Sequence, residues 1–334
     1  MGENGDNGKG TVCVTGGTGF LASWLIMKLL EDGYSVNTTV RSLAIDLSYL
    51  TRLPGASERL RVFEADLGRP ESFQAAVEKC VGVFHVAHPM DFGEGSEEIE
   101  EAKIECAVNG TLGVLRAAVG SKTVKRVVVT SSRLAVVFNG DGGSAVVDER
   151  SWTDVGFVKE SKPFGASYVI SKTLAEKAAL EFGEKYEVDV VTVITSWIHG
   201  PFLSPQFPET LRPAMSMVLG GDQANVMKYP SLTPFVHVDD AASAHIFLME
   251  HRNAKGRYIC SSLGITPQDL HKFLSTRYPQ YHLPYSYSLE DMGGYFKHPI
   301  LSSKKLLDMG FKFKYGLEEM FDGAIESCRR VGLL

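Results

Sequence analysis

Tyr168 and Lys172, two side chains that can exchange protons, lie four positions apart in a segment that continues with helical spacing through Leu174, Ala175 and Ala178. Positions four apart share one face of a helix, so we expect the phenol and the ammonium to enter one site. A free tyrosine has a pKa of about 10, and a neighbouring cation lowers that pKa by stabilising the phenolate. The pair therefore predicts a general acid/base at Tyr168.

A serine that could assist lies earlier, where Ser131 and Ser132 follow the apolar run at 127–130. Open α/β sheets bind ligands at the carboxyl ends of their strands. Ser132 is therefore expected to hydrogen-bond a carbonyl oxygen on which negative charge develops during hydride transfer. Tyrosine and lysine at this spacing on their own more often mark a solvated helix face. It is the conjunction with the serine and a nucleotide-binding turn that indicates an active site.

That turn is the stretch 15–23, Thr-Gly-Gly-Thr-Gly-Phe-Leu-Ala-Ser, which joins the apolar run 12–14 to an amphipathic segment. A strand, a glycine turn and a helix N-terminus in this order are typical of a site for a pyrophosphate. Gly16 allows the chain to turn, Gly19 allows the backbone to approach the phosphates, and Ala22 only has to pack helix against strand. The cofactor contacts predicted here are Thr15, Gly16, Gly19, Phe20 and Leu21.

The end of the second strand indicates which dinucleotide is bound. Residues 35–40 alternate as a strand, Arg41 follows, and no acidic residue precedes it there. A site specific for NAD usually places a carboxylate at this point, whereas a guanidinium suits a 2'-phosphate. NADP(H) is therefore the expected cofactor, the alternative being that Arg41 is a solvated side chain at a strand end.

The remaining pattern alternates strands with helices. Residues 60–63 form a third strand with Asp66 and Leu67 past its end, where an adenine would lie, and 81–87 is a continuous apolar run. This alternation predicts an α/β fold with a doubly wound parallel Rossmann sheet and a smaller C-terminal α/β substrate lobe. We expect residues 10–198 to form the NADP(H)-binding domain. Residues 199–334 would form mainly the substrate lobe, with about 232–262 returning to the Rossmann domain.

Composition excludes several classes of function. The chain has 334 residues, 44% of them hydrophobic, and a formal net charge of -6, which provides no electrostatic footprint for nucleic acid or an anionic membrane. The five cysteines are far apart and odd in number, and no cluster of ligands has metal-site spacing, so reduced thiols and no metal are expected. Residues 1–10 do not resemble a signal peptide and no apolar run is long enough to span a bilayer, so the expected location is cytoplasmic.

Several segments together match a known family. They are 12–23, 33–39, 53–58, 83–87, 108–111, 130–132, 168–172, 199–202 and 236–240. Through them the chain resembles the extended short-chain dehydrogenase/reductases over nearly its whole length, and within these the plant family of vestitone reductase and dihydroflavonol reductase. Residues 21–27 are also similar to noscapine synthase, an oxidising relative that acts on an alkaloid.

The resemblance implies that Ser132, Tyr168 and Lys172 are the catalytic triad of an NADP(H)-dependent oxidoreductase. Tyr168 would supply a proton while a substrate carbonyl receives hydride, and Lys172 would also hold the nicotinamide ribose. The further cofactor contacts that it implies are Val86, Ala87, Thr195 and Trp197.

Some positions depart from the family pattern and bear on the substrate. His88 replaces a usual serine, Arg133 stands where relatives usually have Ala or Gly, and Val137 stands where dihydroflavonol reductases carry an asparagine. A solvated Arg133 and a structural His88 are the alternatives at those two positions. The candidate substrate contacts are His88, Met90, Arg133, Val137 and Met215.

We therefore expect an NADPH-dependent reductase that acts on the ketone of a flat plant specialised metabolite of isoflavonoid, flavonoid or alkaloid type. One alternative is an NADP+-dependent alcohol or hemiacetal dehydrogenase acting on an alkaloid-type substrate. Another, of a different class, is a non-catalytic NADP(H)-binding sensor, although such proteins commonly lose the tyrosine or the lysine that this chain retains. The expected partner is a small molecule, bound by a monomer or weak homodimer.

Overall fold

The computed structural model describes residues 8–89, 99–139, 145–220, 232–281 and 299–334. The strands in these ranges are β1 (Thr11–Val14), β2 (Ser35–Val40), β3 (Leu60–Glu64), β4 (Gly82–His85), β5 (Arg126–Ser132), β6 (Val146–Val147), β7 (Val190–Thr195), β8 (Trp197–His199), β9 (Thr233–His237), β10 (Gly256–Cys260), β11 (Leu263–Ile265) and β12 (Ile300–Leu301). The α-helices are α1 (Phe20–Glu31), α2 (Ser48–Thr51), α3 (Ala56–Arg59), α4 (Gln74–Val77), α5 (Glu101–Ser121), α6 (Val155–Ser161), α7 (Ala166–Tyr186), α8 (Arg212–Leu219), α9 (Val238–Glu250), α10 (Pro267–Arg277), α11 (Lys304–Asp308) and α12 (Leu317–Arg330).

The central sheet has seven strands in the order β10-β7-β5-β4-β1-β2-β3, and every pair in it is parallel. The chain builds outward from β1 through β2 to β3, then returns to place β4 on the other side of β1. This reversal opens a crevice at the carboxyl ends of β1 and β4, where doubly wound sheets bind their ligands. The predicted doubly wound parallel fold is confirmed.

Helices cover both faces of this sheet because its central strands are apolar on both sides. Successive residues of β1 point to opposite faces: Val12 and Val14 pack in the cluster that contains α1 and α9, whereas Cys13 packs in the cluster of α5 and α7. Leu25 of α1 is fully buried on the first face, and Val114 of α5 on the second. The glycine turn and the Tyr168 segment are thereby held on opposite sides of the same sheet edge.

The C-terminal part of the chain contributes to two regions. In a small sheet, β9 pairs parallel to β8 and antiparallel to β11, and Phe235 of β9 lies in an apolar cluster with α8, α10 and α12. After β9, helix α9 packs on the central sheet and β10 becomes its edge strand. In the described chain no helix is long and apolar enough to cross a membrane.

Candidate active site

The glycine turn forms where β1 passes into α1. Gly16 N–H donates to Thr39 Oγ1 at 3.2 Å, Gly17 N–H to the Thr39 carbonyl at 2.8 Å, and Gly19 N–H to the Gly16 carbonyl at 2.9 Å. Strand β2 and the turn itself use these three amides, and the amides of the first turn of α1, beginning at Phe20, can be offered to an anion. No side chain caps the N-terminus of α1. The positive end of the helix is thus left for a phosphate.

The turn needs its glycines for steric reasons. Gly16 has a φ of +73°, and a Cβ there would lie 3.0 Å from the Cα of Ala87. A Cβ on Gly17 would fall well inside contact distance of Thr38 Oγ1. Sequence reasoning missed Gly17, although the doubled glycine was a visible signal. Both glycines let β1 and its neighbours approach each other closely, as a pyrophosphate-binding turn requires.

A buried histidine, His85 at the end of β4, ties this turn to the next strand. Its Nδ1 lies 2.9 Å from Thr15 Oγ1 and its Nε2 lies 3.0 Å from Thr111 Oγ1. The Thr111 hydroxyl donates to a carbonyl of its own helix at 2.8 Å, so Thr111 accepts from the Nε2–H of His85 and Thr15 donates to Nδ1. Thr15 Oγ1 also accepts from the amides of Val86 and Ala87. Burial lowers the pKa of His85 to about 3, so this link is neutral.

Ser132, Tyr168 and Lys172 come together as predicted. Ser132 is the last residue of β5, Tyr168 lies in the first turn of α7, and their side chains share a hydrogen bond. Lys172 follows one helical turn later, with its Nζ 5.9 Å from the centroid of the Tyr168 ring. Lys172 Nζ also donates to the Thr130 carbonyl at 3.1 Å. The three functional groups thus meet at the carboxyl end of β5.

The electrostatics of this group differ from the prediction that Lys172 lowers the pKa of the phenol. Burial raises the pKa of Tyr168 to about 12, and the weaker opposing effects are the hydrogen bond from Ser132 and the charge of Arg133. Burial also lowers the pKa of Lys172 to about 8. The prediction was wrong because loss of solvent around the phenol outweighs the nearby positive charge. Tyr168 is therefore a neutral phenol at neutral pH.

His88 contacts the tyrosine from the side of β4. Its Nε2 lies 3.0 Å from Ser171 Oγ, whose proton is donated to the Tyr168 carbonyl at 2.9 Å, so the Nε2–H of His88 is the donor to Ser171. The His88 and Tyr168 rings meet edge to face, with centroids 5.2 Å apart. Burial holds the pKa of His88 well below its usual range. His88 is a neutral support for the Tyr168 segment.

Arg133 begins the short 3-10 helix Arg133–Ala135, directly after Ser132. Its guanidinium lies over the ring of Trp197 at 5.6 Å, and the Trp197 ring stacks on Phe235. Burial lowers the pKa of Arg133 to about 10, which leaves it charged at neutral pH. Arg133 is partly exposed, and its cation lies over the Trp197 ring and close to the Tyr168 phenol.

The other three candidate substrate contacts, Met215, Val137 and Met90, lie in apolar clusters or outside the described residues. Met215 of α8 is fully buried in the apolar cluster formed with α10 and α12, which favours a packing role over the predicted substrate contact. Its spacing with neighbouring apolar residues reflects core packing. Val137 packs against the apolar cluster that contains Val147 and Ile194. Met90 lies outside the described residues.

The remaining candidate cofactor contacts lie along the same edge of the sheet. Arg41 is exposed directly after β2, and Asp66 follows β3 with its carboxylate accepting from the Gly68 amide at 2.7 Å. Leu67 packs so closely on Gly110 of α5 that a Cβ on this glycine would lie 2.8 Å from the Cβ of Leu67. On the opposite side, the hydroxyl of Thr195 donates to the Ser131 carbonyl at 3.3 Å.

His237, Asp239 and Asp240 have structural partners. His237 Nδ1 accepts from the Asp239 amide at the start of α9, and the Asp239 carboxylate accepts from Lys28 at 2.9 Å. Asp240 accepts from the backbone amide of Lys314. Across the described ranges, no group of three or more His, Cys, Asp or Glu side chains could hold a metal ion.

Sequence reasoning missed two residues besides Gly17. One is His85, hidden within an apolar run. The other is Glu176, a buried carboxylate on the same helix face as Tyr168 and Lys172. The repeated spacing of four from 168 to 172 to 176 was the signal that could have identified it.

Comparisons with known proteins extend these observations. The sequence profile described as the NAD dependent epimerase/dehydratase family matches residues 12–260. The chain is 50% identical over 331 residues to vestitone reductase of Medicago sativa, covering 98% of this chain and 99% of the relative. It is 46% identical over 332 residues to noscapine synthase SDR1 of Papaver somniferum, covering 97% and 93% of the two chains.

Solved structures agree with these sequence relationships. The crystal structure of vestitone reductase from alfalfa superposes with a TM-score of 0.85 at 47% identity, covering 98% of this chain and all of that one (100%). The yeast methylglyoxal/isovaleraldehyde reductase Gre2, crystallised with NADPH, superposes with a TM-score of 0.82 at 25% identity, covering 97% of this chain and 100% of that one.

Proposed function

The chain belongs to the NAD dependent epimerase/dehydratase family, as an extended short-chain dehydrogenase/reductase of the plant reductase group, and from this premise we propose that it is an NADPH-dependent ketone reductase. Its substrate is the ketone of a flat plant specialised metabolite of isoflavonoid, flavonoid or alkaloid type. The relatives named vestitone reductase and noscapine synthase support this substrate range.

The observation that carries the proposal is the arrangement of Tyr168 between Ser132 and Lys172. Ser132 and the phenol form a pair of hydroxyls that can both hydrogen-bond one substrate oxygen. The pKa of Tyr168, raised to about 12, keeps the phenol protonated at neutral pH, and a protonated phenol is the form that donates. In reduction, the substrate oxygen gains this proton.

The residues that would hold NADPH fit its parts. The first turn of α1 would bind the pyrophosphate, Arg41 the 2'-phosphate, and Asp66 with Leu67 the adenine side. Lys172 would hold the hydroxyls of the nicotinamide ribose, and the segments Val86 to Ala87 and Thr195 to Trp197 would lie beside the nicotinamide. When bound, NADPH supplies the hydride. The chain's own residues orient the ketone, stabilise charge on its oxygen and provide the proton.

Arg133 and His88 are the substrate-side residues of this proposal. The guanidinium of Arg133, next to Tyr168 and supported by Trp197, would attract an oxygen-rich or ionised edge of a planar substrate. The neutral ring of His88 would form the wall of the cleft opposite Arg133. The polar contact from residue 137 that dihydroflavonol reductases make is replaced here by a valine in an apolar cluster. This arrangement favours ketones other than dihydroflavonols.

Purified protein tested with a panel of isoflavanone, dihydroflavonol and alkaloid ketones would check the proposal, with NADPH and NADH oxidation followed by absorbance. The matching alcohols and hemiacetals would be tested with NADP+ and NAD+ in parallel. Turnover of a planar ketone with NADPH is the expected result. Turnover confined to alcohols or hemiacetals would show a dehydrogenase, and NADPH binding without any turnover would show a sensor.

We further expect the protein to be cytoplasmic, which cell fractionation would test. We also expect it to be a monomer or weak homodimer, which light scattering would test.

A further inference from the structure

Glu176 and Arg257 form a buried ion pair behind the proposed catalytic group. Arg257 Nε lies 2.8 Å from Glu176 Oε1, and the two side chains are 7% and 1% exposed. The same carboxylate accepts from Ser131 Oγ at 2.6 Å and from Thr192 Oγ1 at 2.6 Å. One side chain of α7 therefore joins β5, β7 and β10, three neighbouring strands of the central sheet.

Arg257 is in turn anchored to the segment that precedes α6. Its guanidinium lies 3.4 Å from the centroid of the Trp152 ring and donates to the carbonyls of Glu149 and Ser151 at 2.9 and 2.6 Å. These contacts fix the position of the guanidinium independently of Glu176. A buried ion pair is often no more stabilising than apolar residues of the same size. Its location beside the reactive side chains points to a role in positioning them.

The contacts between α7 and β5 show how that positioning works. Tyr168, Lys172 and Glu176 lie on one helix face and contact three consecutive strand residues, 130–132. Lys172 donates to Thr130, Glu176 accepts from Ser131, and Tyr168 pairs with Ser132. A rotation of α7 or a slide along β5 would have to break the contact of Glu176 with all three strands. The carboxylate therefore fixes where the phenol and the amine lie.

The charge of Glu176 also acts on Lys172. The titratable groups that face Lys172 from the surrounding elements, besides Glu176, are Tyr168, His85, His88 and His245. All four are neutral at neutral pH: burial lowers the pKa of His85 to about 3 and that of His245 to about 4, holds that of His88 well below its usual range, and raises that of Tyr168 to about 12. Within the described chain, Glu176 raises the pKa of Lys172 against the effect of burial, and the positive charge of its partner Arg257 offsets part of this effect.

We propose that Glu176 is a positioning residue of this active site, which holds α7 in register with β5 and places a negative charge one helical turn from Lys172. The inference rests on the proposed function, because it needs a charged Lys172 to take part in cofactor binding and turnover. The hydrogen bonds of Glu176 position α7, and its charge acts on Lys172.

The main test compares Glu176→Gln with Glu184→Gln, a control at an exposed position of the same helix. The Glu176 variant should lose at least about tenfold in kcat, and the alkaline limit of its kcat profile should move down by about one pH unit or more. NADPH affinity, measured by fluorescence titration without substrate, should begin to fall with rising pH at a lower pH than in the wild-type protein, in step with the kcat profile. The Glu184 control should match the wild-type protein in kcat, in the alkaline limit and in NADPH affinity. A wild-type pH profile in a folded Glu176→Gln variant would overturn the charge role.

Two further variants separate the two tasks and deal with misfolding. Ser131→Ala keeps the charge and removes one strand contact, so kcat should fall several-fold with the alkaline limit unchanged. An unchanged kcat would overturn the positioning role. If Glu176→Gln does not fold with its unpaired buried guanidinium, the double variant Glu176→Gln/Arg257→Met removes that charge. With both charges removed, it should still lose several-fold in kcat because the ion pair that joins α7 to β10 is gone, and a wild-type kcat there would contradict the positioning role.

Tyr168→Phe, assayed beside these variants, distinguishes failure of the inference from failure of the proposed function. Turnover by the phenylalanine variant at the wild-type rate would contradict the proposed function itself. A nearly inactive phenylalanine variant together with wild-type behaviour of the Glu176 variants would remove only the role of Glu176.

Discussion

Lys172 Nζ donates to the backbone carbonyl of Thr130 at 3.1 Å, so the amine on α7 is tied directly to β5. This contact places the charge within the sheet edge rather than at the surface. Burial there lowers the pKa of Lys172 to about 8.

Turnover should therefore fall as pH rises through about 8, because the amine loses its proton above its pKa and with it the charge that holds the cofactor. Lys172→Arg should turn over more slowly, since the longer guanidinium does not fit the same contact. Its alkaline limit should nevertheless move upward, because arginine stays charged throughout this range. Measuring kcat from pH 6 to about 10 checks both points. An identical alkaline limit in both proteins would mean that another group titrates there.

Replacing Tyr168 by Phe should reduce kcat by roughly 10²- to 10⁴-fold, because it removes the proton donor and little of the packing. NADPH affinity should stay nearly the same. The matched control is Tyr186→Phe in the last turn of the same helix, where the ring is exposed. Turnover by the Tyr168 variant comparable to that of the control would mean that the substrate oxygen gains its proton from another source.

Arg41→Ala should raise the KM for NADPH by roughly 10- to 100-fold while changing the KM for NADH little, because it removes a charged hydrogen bond to the 2'-phosphate. Arg61→Ala, which removes an exposed arginine from the neighbouring strand β3, serves as the control for the change in net charge. Equal weakening of both cofactors by Arg41→Ala would show that the guanidinium does not contact the phosphate.

Gly17→Ala should destabilise the protein by about 1–3 kcal/mol and weaken NADPH binding, because the added methyl group meets Thr38 Oγ1 and forces the turn to move. Gly120→Ala is the matched control: it lies in the last turn of α5 with nothing within 4 Å of the added carbon, so stability should be unchanged or slightly higher. Thermal melts and NADPH titrations measure both effects. A Gly17 variant that melts and binds like the control would show that the turn tolerates the side chain.

The fold and the reactive residues could be predicted from sequence because each has a local signal. The glycine turn between 12–14 and the following helix, and the spacing of Tyr168 and Lys172, are properties of short stretches of chain. Substrate-side residues were harder to predict. Met215 and Arg133 look alike as long side chains near the site in sequence, yet one lies in the core and the other over Trp197. Their orientation depends on packing between distant elements.

The amino-acid sequence alone determined the doubly wound sheet, the nucleotide turn and the presence of a phenol, an amine and a hydroxyl in one site, because periodicity and turn chemistry act over a few residues. Only the tertiary structure decided how those groups ionise. The pKa of Tyr168 rises rather than falls because solvent is excluded around it, and that of Lys172 is held up by Glu176, whose carboxylate is buried against three strands. Desolvation and long-range ion pairing exist only after the chain has folded, so no local pattern could have revealed them.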